Sequence, residues 1–338
     1  MPELPEVERA KELVKSVAKG KTIIRVDTVE DPIVFSGVSH TDFAKELTGR
    51  KVADVARYGK VFYLEMEGKG KSPVLHFGMT GMVQLKGEKP LFYKETPRKQ
   101  TDEWPPKFTK FVLHIQGDTS DDTAELAFMD ARRLGRIRLC QSPLTEPPIS
   151  TLGFDPILSM PTLEAFSKGV RKRSCPIKAL LLDQSFSAGV GNWVADEILY
   201  HARIHPERRC NALDEGEIAA VHEKTRWVCR TAVDLNADAS KFPEDWLFKH
   251  RWGKGKKQKE TFTLPSGKPG TIKWVTVGGR TSAFIAELQK LTSVERSQVA
   301  ETQDDGSESD LTPLEDEETL QVKLDSYKTR RLYTKRKT

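Results

Sequence analysis

The sequence predicts an α+β chain: a helix at the N-terminus, a β-sandwich or barrel behind it, and then a helical domain that carries a β-hairpin. Three observations carry this reading. Through residues 21 to 140 the apolar residues fall in short or alternating runs divided by Gly, Pro and Asp, as strands require. From Pro161 onward the apolar period lengthens to steps of three and four, the spacing of helices. Near residues 261 to 286 it returns to two. The implied boundaries are 1–145 for the β domain, 146–292 for the helical domain with its hairpin at about 253–290, and 293–338 for a tail.

In chain order, MPELPEVE opens with Pro5, Glu6 and Glu8, an ordinary helix start with proline in the first turn and acidic residues at the positive end of the dipole. Val7, Ala10, Val14 and Val17 then define one apolar stripe, so residues 5 to about 18 form an amphipathic helix. The strand-like runs are KTIIRVDTV, KVFYLEM, VLHFGMTGMVQL, FVLHI and ELAFMD. EKPLFYKETPRKQTDEWPP, at 88–106, is polar and proline-bearing and reads as a surface loop. LEAFSKGV, IKALLLDQ, VADEILYHA and EIAAVHEKTRWVCRTAV supply the helices. In TFTL-PSGKPG-TIKWVTV a Gly- and Pro-rich turn separates two strand-like runs, the expected hairpin, and GGR-TSAFI follows. The tail is acidic from Asp304 to Glu318 and basic from Lys323 to Lys337, with few large apolar residues, which predicts disorder.

No apolar run reaches the roughly 18 residues that span a bilayer, and the start has no short apolar region with a cleavage site, so an intracellular protein without membrane association is expected. Cysteines at 140, 175, 210 and 229 include no close pair, which speaks against a disulfide framework and a structural zinc site and for buried small residues. Residues 295–338 hold 11 acidic and 8 basic side chains, so the net +5 of the chain leaves +8 on residues 1–294. A basic folded body with Arg132-Arg133 and Arg171-Lys172-Arg173 suggests a polyanionic partner.

Pro2 and Glu3 are not explained by the helix start. Removal of the initiator methionine would leave Pro2 with a secondary amine of pKa about 8, partly neutral and nucleophilic at physiological pH. An amine that attacks a sugar C1′ forms an imine-type intermediate, and an adjacent Glu3 would serve as general acid. A simple lead-in to the helix is the alternative for the same two residues.

Taken together, MPELPEVE, KV at 60–61, HFGMTG at 76–81, DARRLG at 130–135, IKALLLDQ at 177–184, GVGNWVADEILYHARIHP at 189–206 and GGRT at 278–281 resemble the formamidopyrimidine-DNA glycosylase and endonuclease VIII family, in the family's order, over roughly residues 1 to 290. The resemblance implies an N-terminal β-sandwich, a helix-two-turn-helix motif and a finger hairpin. It also implies a bifunctional glycosylase and abasic-site lyase of base excision repair, which excises oxidised bases through a Schiff base and cuts the strand by β,δ-elimination. Its catalytic residues map onto Pro2 as nucleophile, Glu3 as the acid that opens the sugar, Lys60, and Glu6 beside them. Asn192, Lys178 and Arg280 match its phosphate-binding residues, and His76, Lys110 and Arg133 match further phosphate contacts by position. In GVGN the paired glycines and outward helix amides suggest a phosphate seat, although an ordinary interhelical turn reads the same. The gap left by an extruded base would be filled by Met79, Arg132 and Leu134.

Three departures qualify this. Leu134 stands where the bacterial members have phenylalanine, which keeps an apolar wedge and loses stacking area. The hairpin region contains no cysteine, as in the zincless fingers of plant and fungal members, with Ile272, Trp274 and Phe284 expected to pack in place of a metal. The segment from about Ala237 to Trp252 is short for the loop that closes over 8-oxoguanine, so hydantoins and formamidopyrimidines are the expected substrates and 8-oxoguanine a poor one. The expected partner is double-stranded damaged DNA, bound by a monomer without cofactor or metal. A non-catalytic damage-binding protein on the same scaffold is the rival, and Pro2, Glu3 and Lys60 together favour the enzyme. The basic end of the tail suits a nuclear address or a DNA tether, and a nuclear location is expected.

Overall fold

The computed structural model describes residues 2–88, 103–119, 121–253 and 262–291. Most of the expected loop at 88–106, and the tail at 293–338, lie outside the described residues. Helix α1 (Leu4–Ala18) comes first, and its buried stripe is Val7, Ala10, Val14 and Ala18, with Val17 only partly covered. Eight strands follow: β1 (Thr22–Thr28), β2 (Val52–Tyr58), β3 (Val61–Met66), β4 (Ser72–His76), β5 (Met82–Leu85), β6 (Thr109–Gln116), β7 (Thr123–Met129) and β8 (Arg136–Cys140). They form two four-stranded antiparallel sheets, ordered β1-β6-β7-β5 and β2-β3-β4-β8. Both sheets, α1 and the short helix α2 (His40–Leu47) share one core, which makes a sandwich of the two expected alternatives.

That core is held by a run of phenylalanines crossing between the sheets. Ring centroids of Phe43 and Phe111, Phe111 and Phe128, Phe128 and Phe77, and Phe77 and Phe62 lie 5.2, 5.3, 5.6 and 5.0 Å apart. Buried rings at this spacing gain favourable quadrupolar contact in addition to their burial. The run VLHFGMTGMVQL is two strands in different sheets. Gly78 at φ 57° and Gly81, whose added Cβ would fall 2.3 Å from the Phe77 carbonyl oxygen, let the chain reverse between them, and the reversal carries Met79.

The helical domain contains α3 (Leu163–Arg171), α4 (Ile177–Leu182), α5 (Asn192–Ala202) and α6 (Glu215–Asp234). Its core gathers Phe166, Leu180, Trp193, Val194, Ile198, Val221 and Val228, and it includes Leu4 from the far end of the chain. Helix α6 starts with a reciprocal capping box, in which the Glu217 amide donates to Asp214 at 2.8 Å and the Asp214 amide to Glu217 at 2.9 Å. All four cysteines are buried and free, as their spacing suggested.

The hairpin region differs from its expected pairing. TFTL does not pair with TIKWVTV. Instead β9 (Phe262–Thr263) pairs with β10 (Pro269–Gly270), and β11 (Ile272–Val277) pairs with β12 (Arg280–Ile285) across Gly278-Gly279. Both glycines have positive φ, 54° and 67°, as a two-residue turn that follows the strand twist requires. Ile272 and Trp274 pack on Tyr200, Leu247, Phe262, Leu264, Ala283 and Ile285, whereas Phe284 stands over His205 with ring centroids 4.4 Å apart.

Candidate active site

The start of the chain is fastened to both domains. Leu4 donates its amide to the Gly189 carbonyl at 3.0 Å and sits in the helical core, while the residues after Glu6 enter the sandwich core. Glu3, buried at the head of α1, accepts from the Trp193 and Val194 amides in the first turn of α5, at 3.0 Å each. A carboxylate at a helix N-terminus is stabilised by the dipole and by otherwise unpaired amides. The glycines of GVGN make this contact possible: an added Cβ on Gly191 would fall 2.3 Å from Glu3 Cδ, and one on Gly189 would fall 2.8 Å from Leu4 Cβ. The helix amides expected to form an open phosphate seat are therefore occupied by a carboxylate of this chain. The glycines serve the approach of its own N-terminus.

Glu6 lies beside Glu3. One carboxyl oxygen accepts from the Trp193 indole at 3.0 Å and the other from the Glu3 amide at 2.9 Å. Burial, reinforced by the negative charge of Glu3, pushes its pKa up to about 7. The pair thus combines a carboxylate fixed on a helix with a carboxyl that titrates near neutrality.

Lys60 reaches the same junction from the β2–β3 turn and is buried there. The turn is tied to the helical domain by Asp155, which accepts from the Gly59 amide at 2.8 Å and pairs with the buried Arg57 guanidinium. Arg57 also bonds Glu8 of α1 at 2.6 Å. His76 pairs with Val61 across the sheet, next to Lys60. Burial, together with the positive charges of Lys60, Arg138 and Arg136, pushes the His76 pKa down to about 4, so the ring is neutral at neutral pH. Its Nδ1 accepts from the Gly78 amide at 3.1 Å, which assigns the proton to Nε2.

Asn192 connects this group to the finger. Its side-chain amide donates to the Thr281 carbonyl at 3.0 Å, next to Arg280 in the β11–β12 hairpin. Lys178, fully buried on α4, pairs with Asp196, and its ammonium lies 3.5 Å from the same Thr281 carbonyl. Burial pushes the Lys178 pKa down to about 8 against the pull of Asp196. Asp196 also accepts from Arg251 at 2.6 Å and from the Ala283 amide at 3.1 Å, so one carboxylate orients α4, α5 and the finger. The buried carbonyl oxygen of the Asn192 side chain has no hydrogen-bond partner.

The remaining candidates form two further groups. Met79, Arg132 and Leu134 come together around the buried Asp130, which accepts from the Thr80 hydroxyl at 2.7 Å, the Arg132 amide at 3.2 Å and the Gly135 amide at 2.6 Å. Arg132 is exposed and Met79 partly so, but Leu134 is buried, with its backbone against Gly78. Lys110 and Arg133 both converge on Asp31, at 2.8 and 3.0 Å. Burial would raise the Asp31 pKa, but hydrogen bonds from Arg133 and Lys110 outweigh it and hold the carboxyl at about 2. Nothing in the sequence singles out Asp31, Asp155 or Arg57. No local pattern marks a carboxylate whose partners lie far along the chain.

Comparison with known proteins agrees with this architecture. The model of the formamidopyrimidine-DNA glycosylase N-terminal domain matches residues 1–137, and that of the formamidopyrimidine-DNA glycosylase H2TH domain matches residues 152–244. The formamidopyrimidine-DNA glycosylase of Arabidopsis thaliana is 40% identical over 291 residues, which cover 86% of this chain and 71% of that protein. The enzyme of Paracoccus denitrificans is 30% identical over 295 residues, covering 86% of this chain and all of that one. Among solved structures, the wild-type Lactococcus lactis enzyme bound to DNA containing N7-benzyl-Fapy-dG superposes with a TM-score of 0.67 at 25% identity, covering 86% of this chain and all of that one. The chain belongs to the formamidopyrimidine-DNA glycosylase family.

Proposed function

We propose that this DNA glycosylase and abasic-site lyase of base excision repair works through the amine of Pro2, exposed by removal of Met1. The Pro2 nitrogen attacks C1′ of the damaged nucleotide, the base leaves with its bonding electrons and takes up a proton, and the ring opens to an iminium. Loss of a C2′ proton expels the 3′ phosphate, loss of a C4′ proton from the conjugated iminium expels the 5′ phosphate, and water hydrolyses the imine to free Pro2, which completes the β,δ-elimination. The observation that carries the reading is the pair of hydrogen bonds that the α5 amides donate to the Glu3 carboxylate, which fixes the first residues of the chain at the domain junction, where the turn carrying Lys60 also packs. Proton delivery to the sugar ring oxygen belongs to the Glu3–Glu6 pair, in which Glu6, titrating at about 7, keeps a substantial protonated fraction at neutral pH. Lys60 assists base loss and elimination. Lys178, Asn192 and Arg280 hold phosphates around the lesion, with His76, Lys110 and Arg133 contributing further contacts.

Hydantoins and formamidopyrimidines are the preferred bases in this reading, 8-oxoguanine is poor, and the finger folds without zinc. The protein acts as a nuclear monomer, with the basic end of its tail as address or DNA tether. Borohydride trapping of the untagged protein on hydantoin-containing duplex, followed by peptide mapping, tests the mechanism. A covalent adduct on Pro2, lost when the N-terminus carries a tag, is expected. Tight binding without an adduct on hydantoin, formamidopyrimidine or abasic DNA would refute it, and faster excision of 8-oxoguanine than of hydantoins would refute the substrate order.

A further inference from the structure

Among the described residues of the β domain, Phe108 is the one exposed aromatic, with half of its surface open to solvent. Its backbone is left-handed, at φ 67°, a conformation that costs energy for a residue with a bulky side chain. A neighbouring turn holds it there: the Thr109 amide and hydroxyl both donate to the Pro106 carbonyl, at 3.3 and 2.6 Å. The Phe108 carbonyl in turn accepts from the Asp130 amide at 3.1 Å. Asp130 is the same buried residue that ties Thr80, Arg132 and Gly135 together, so Phe108, Met79 and Arg132 are mounted on one support. Leu134, which the sequence offers as the wedge, is buried at 6% exposure and has no ring.

We propose that Phe108 is the aromatic surface on which a DNA base stacks when the damaged nucleotide leaves the helix. The proposal rests on the reading of the chain as a glycosylase acting on duplex DNA. The ring lies beside a cation that suits a phosphate backbone, Lys107, whose ammonium is 5.2 Å from the ring centroid, and it shares its Asp130 support with the exposed Arg132. Stacking on an aromatic side chain tolerates any base, because every base presents a π-face, so Phe108 supplies the area lost by leucine at position 134 without reading sequence.

The test uses the full-length, untagged protein on a duplex with a formamidopyrimidine lesion and 2-aminopurine in the adjacent base pair. Single-turnover excision and 2-aminopurine fluorescence are measured for Phe108→Ala, Phe108→Gly and Phe108→Trp. The glycine variant suits the left-handed backbone and so separates loss of the ring from backbone strain. Loss of about tenfold to a hundredfold in excision for both Ala and Gly, with an altered fluorescence change and recovery in Trp, is expected. Wild-type rates and fluorescence in Phe108→Ala, with the loss appearing in Leu134→Ala instead, would overturn the proposal while wild-type trapping on abasic DNA stands. Wild-type protein that forms no borohydride adduct would remove the reading beneath it, and the proposal with it.

Discussion

Glu6 makes stability depend on pH in a direction opposite to that of a salt-bridged carboxylate. Its folded pKa is about 7 against an ordinary 4.5, because burial and the charge of Glu3 oppose ionisation. The folded state therefore keeps a proton that the unfolded chain releases. The favourable term is fully present below about pH 4.5 and is lost as pH rises through about 7. A shift of this size corresponds to about 3 kcal/mol between the two limits, at 1.36 kcal/mol per unit. Glu6→Gln removes the titration while keeping the side-chain shape. It also turns an amide nitrogen toward the Trp193 indole or the Glu3 amide, both donors, so a pH-independent cost of about 1–3 kcal/mol accompanies it.

The informative quantity is thus the difference in slope. Urea unfolding of both proteins across this window should show the wild type losing about 3 kcal/mol relative to Glu6→Gln as pH rises, with unchanged m-values. Excision by the wild type should show a limb near the Glu6 pKa that the variant lacks. Parallel stability profiles would refute the reasoning, since they would mean that Glu6 ionises at its ordinary pKa and that the junction is wetter than its burial implies.

Two other perturbations act on the same junction. Gly191→Ala drives a methyl into the Glu3 carboxyl, and single-turnover excision should fall by about a hundredfold as the first residues of the chain shift. Asp155→Ala leaves the Arg57 guanidinium buried with only Glu8 as a carboxylate partner and the Gly59 amide without its acceptor, so urea unfolding should register a loss of about 3 kcal/mol.

What the sequence made legible followed from local periodicity. Helices α1, α5 and α6 have apolar stripes long enough to be recognised, and Gly278-Gly279 marks its turn through the backbone conformation it needs. Helix α2 has two buried anchors, Phe43 and Leu47, too few to define a period. Strand β8, RIRLC, hides two buried residues among cations that face the site. The partner of β9 could not be read because pairing is decided by tertiary packing, here the burial of Phe262 and Leu264 against Tyr200. The candidate catalytic residues were legible only as a set, since Lys60 or Arg280 alone resembles any surface cation. Asp31 and Asp155 leave no local trace because their charged partners are brought in from elsewhere in the chain, and Asp130 and Asp196, although they stand inside quoted motifs, show nothing there of the distant segments they join.

A cleft that receives a polyanion should carry little uncompensated negative charge, and Glu3, Glu6 and His76 at the junction are arranged accordingly. Glu3 is offset by the α5 amides, Glu6 holds its proton up to about pH 7, and His76 is kept neutral, with a pKa of about 4, in part by the charges of Lys60, Arg138 and Arg136. DNA phosphates add negative potential that partly cancels those cations. Both pKa values must then rise, because an added negative charge favours the protonated form of an acid and of a base alike. His76 starts too low to respond strongly near neutrality, so Glu6 dominates. A rise of about one unit would take it from half to about nine-tenths protonated at pH about 7, an uptake of about 0.4 protons per complex. Calorimetric titration of an abasic-analogue duplex in two buffers of different ionisation enthalpy measures this number directly. Uptake near neutrality that vanishes in Glu6→Gln is the expected result, whereas absence of uptake in the wild type would mean that DNA approaches the junction with its cations, leaving the carboxyl pair outside the phosphate field.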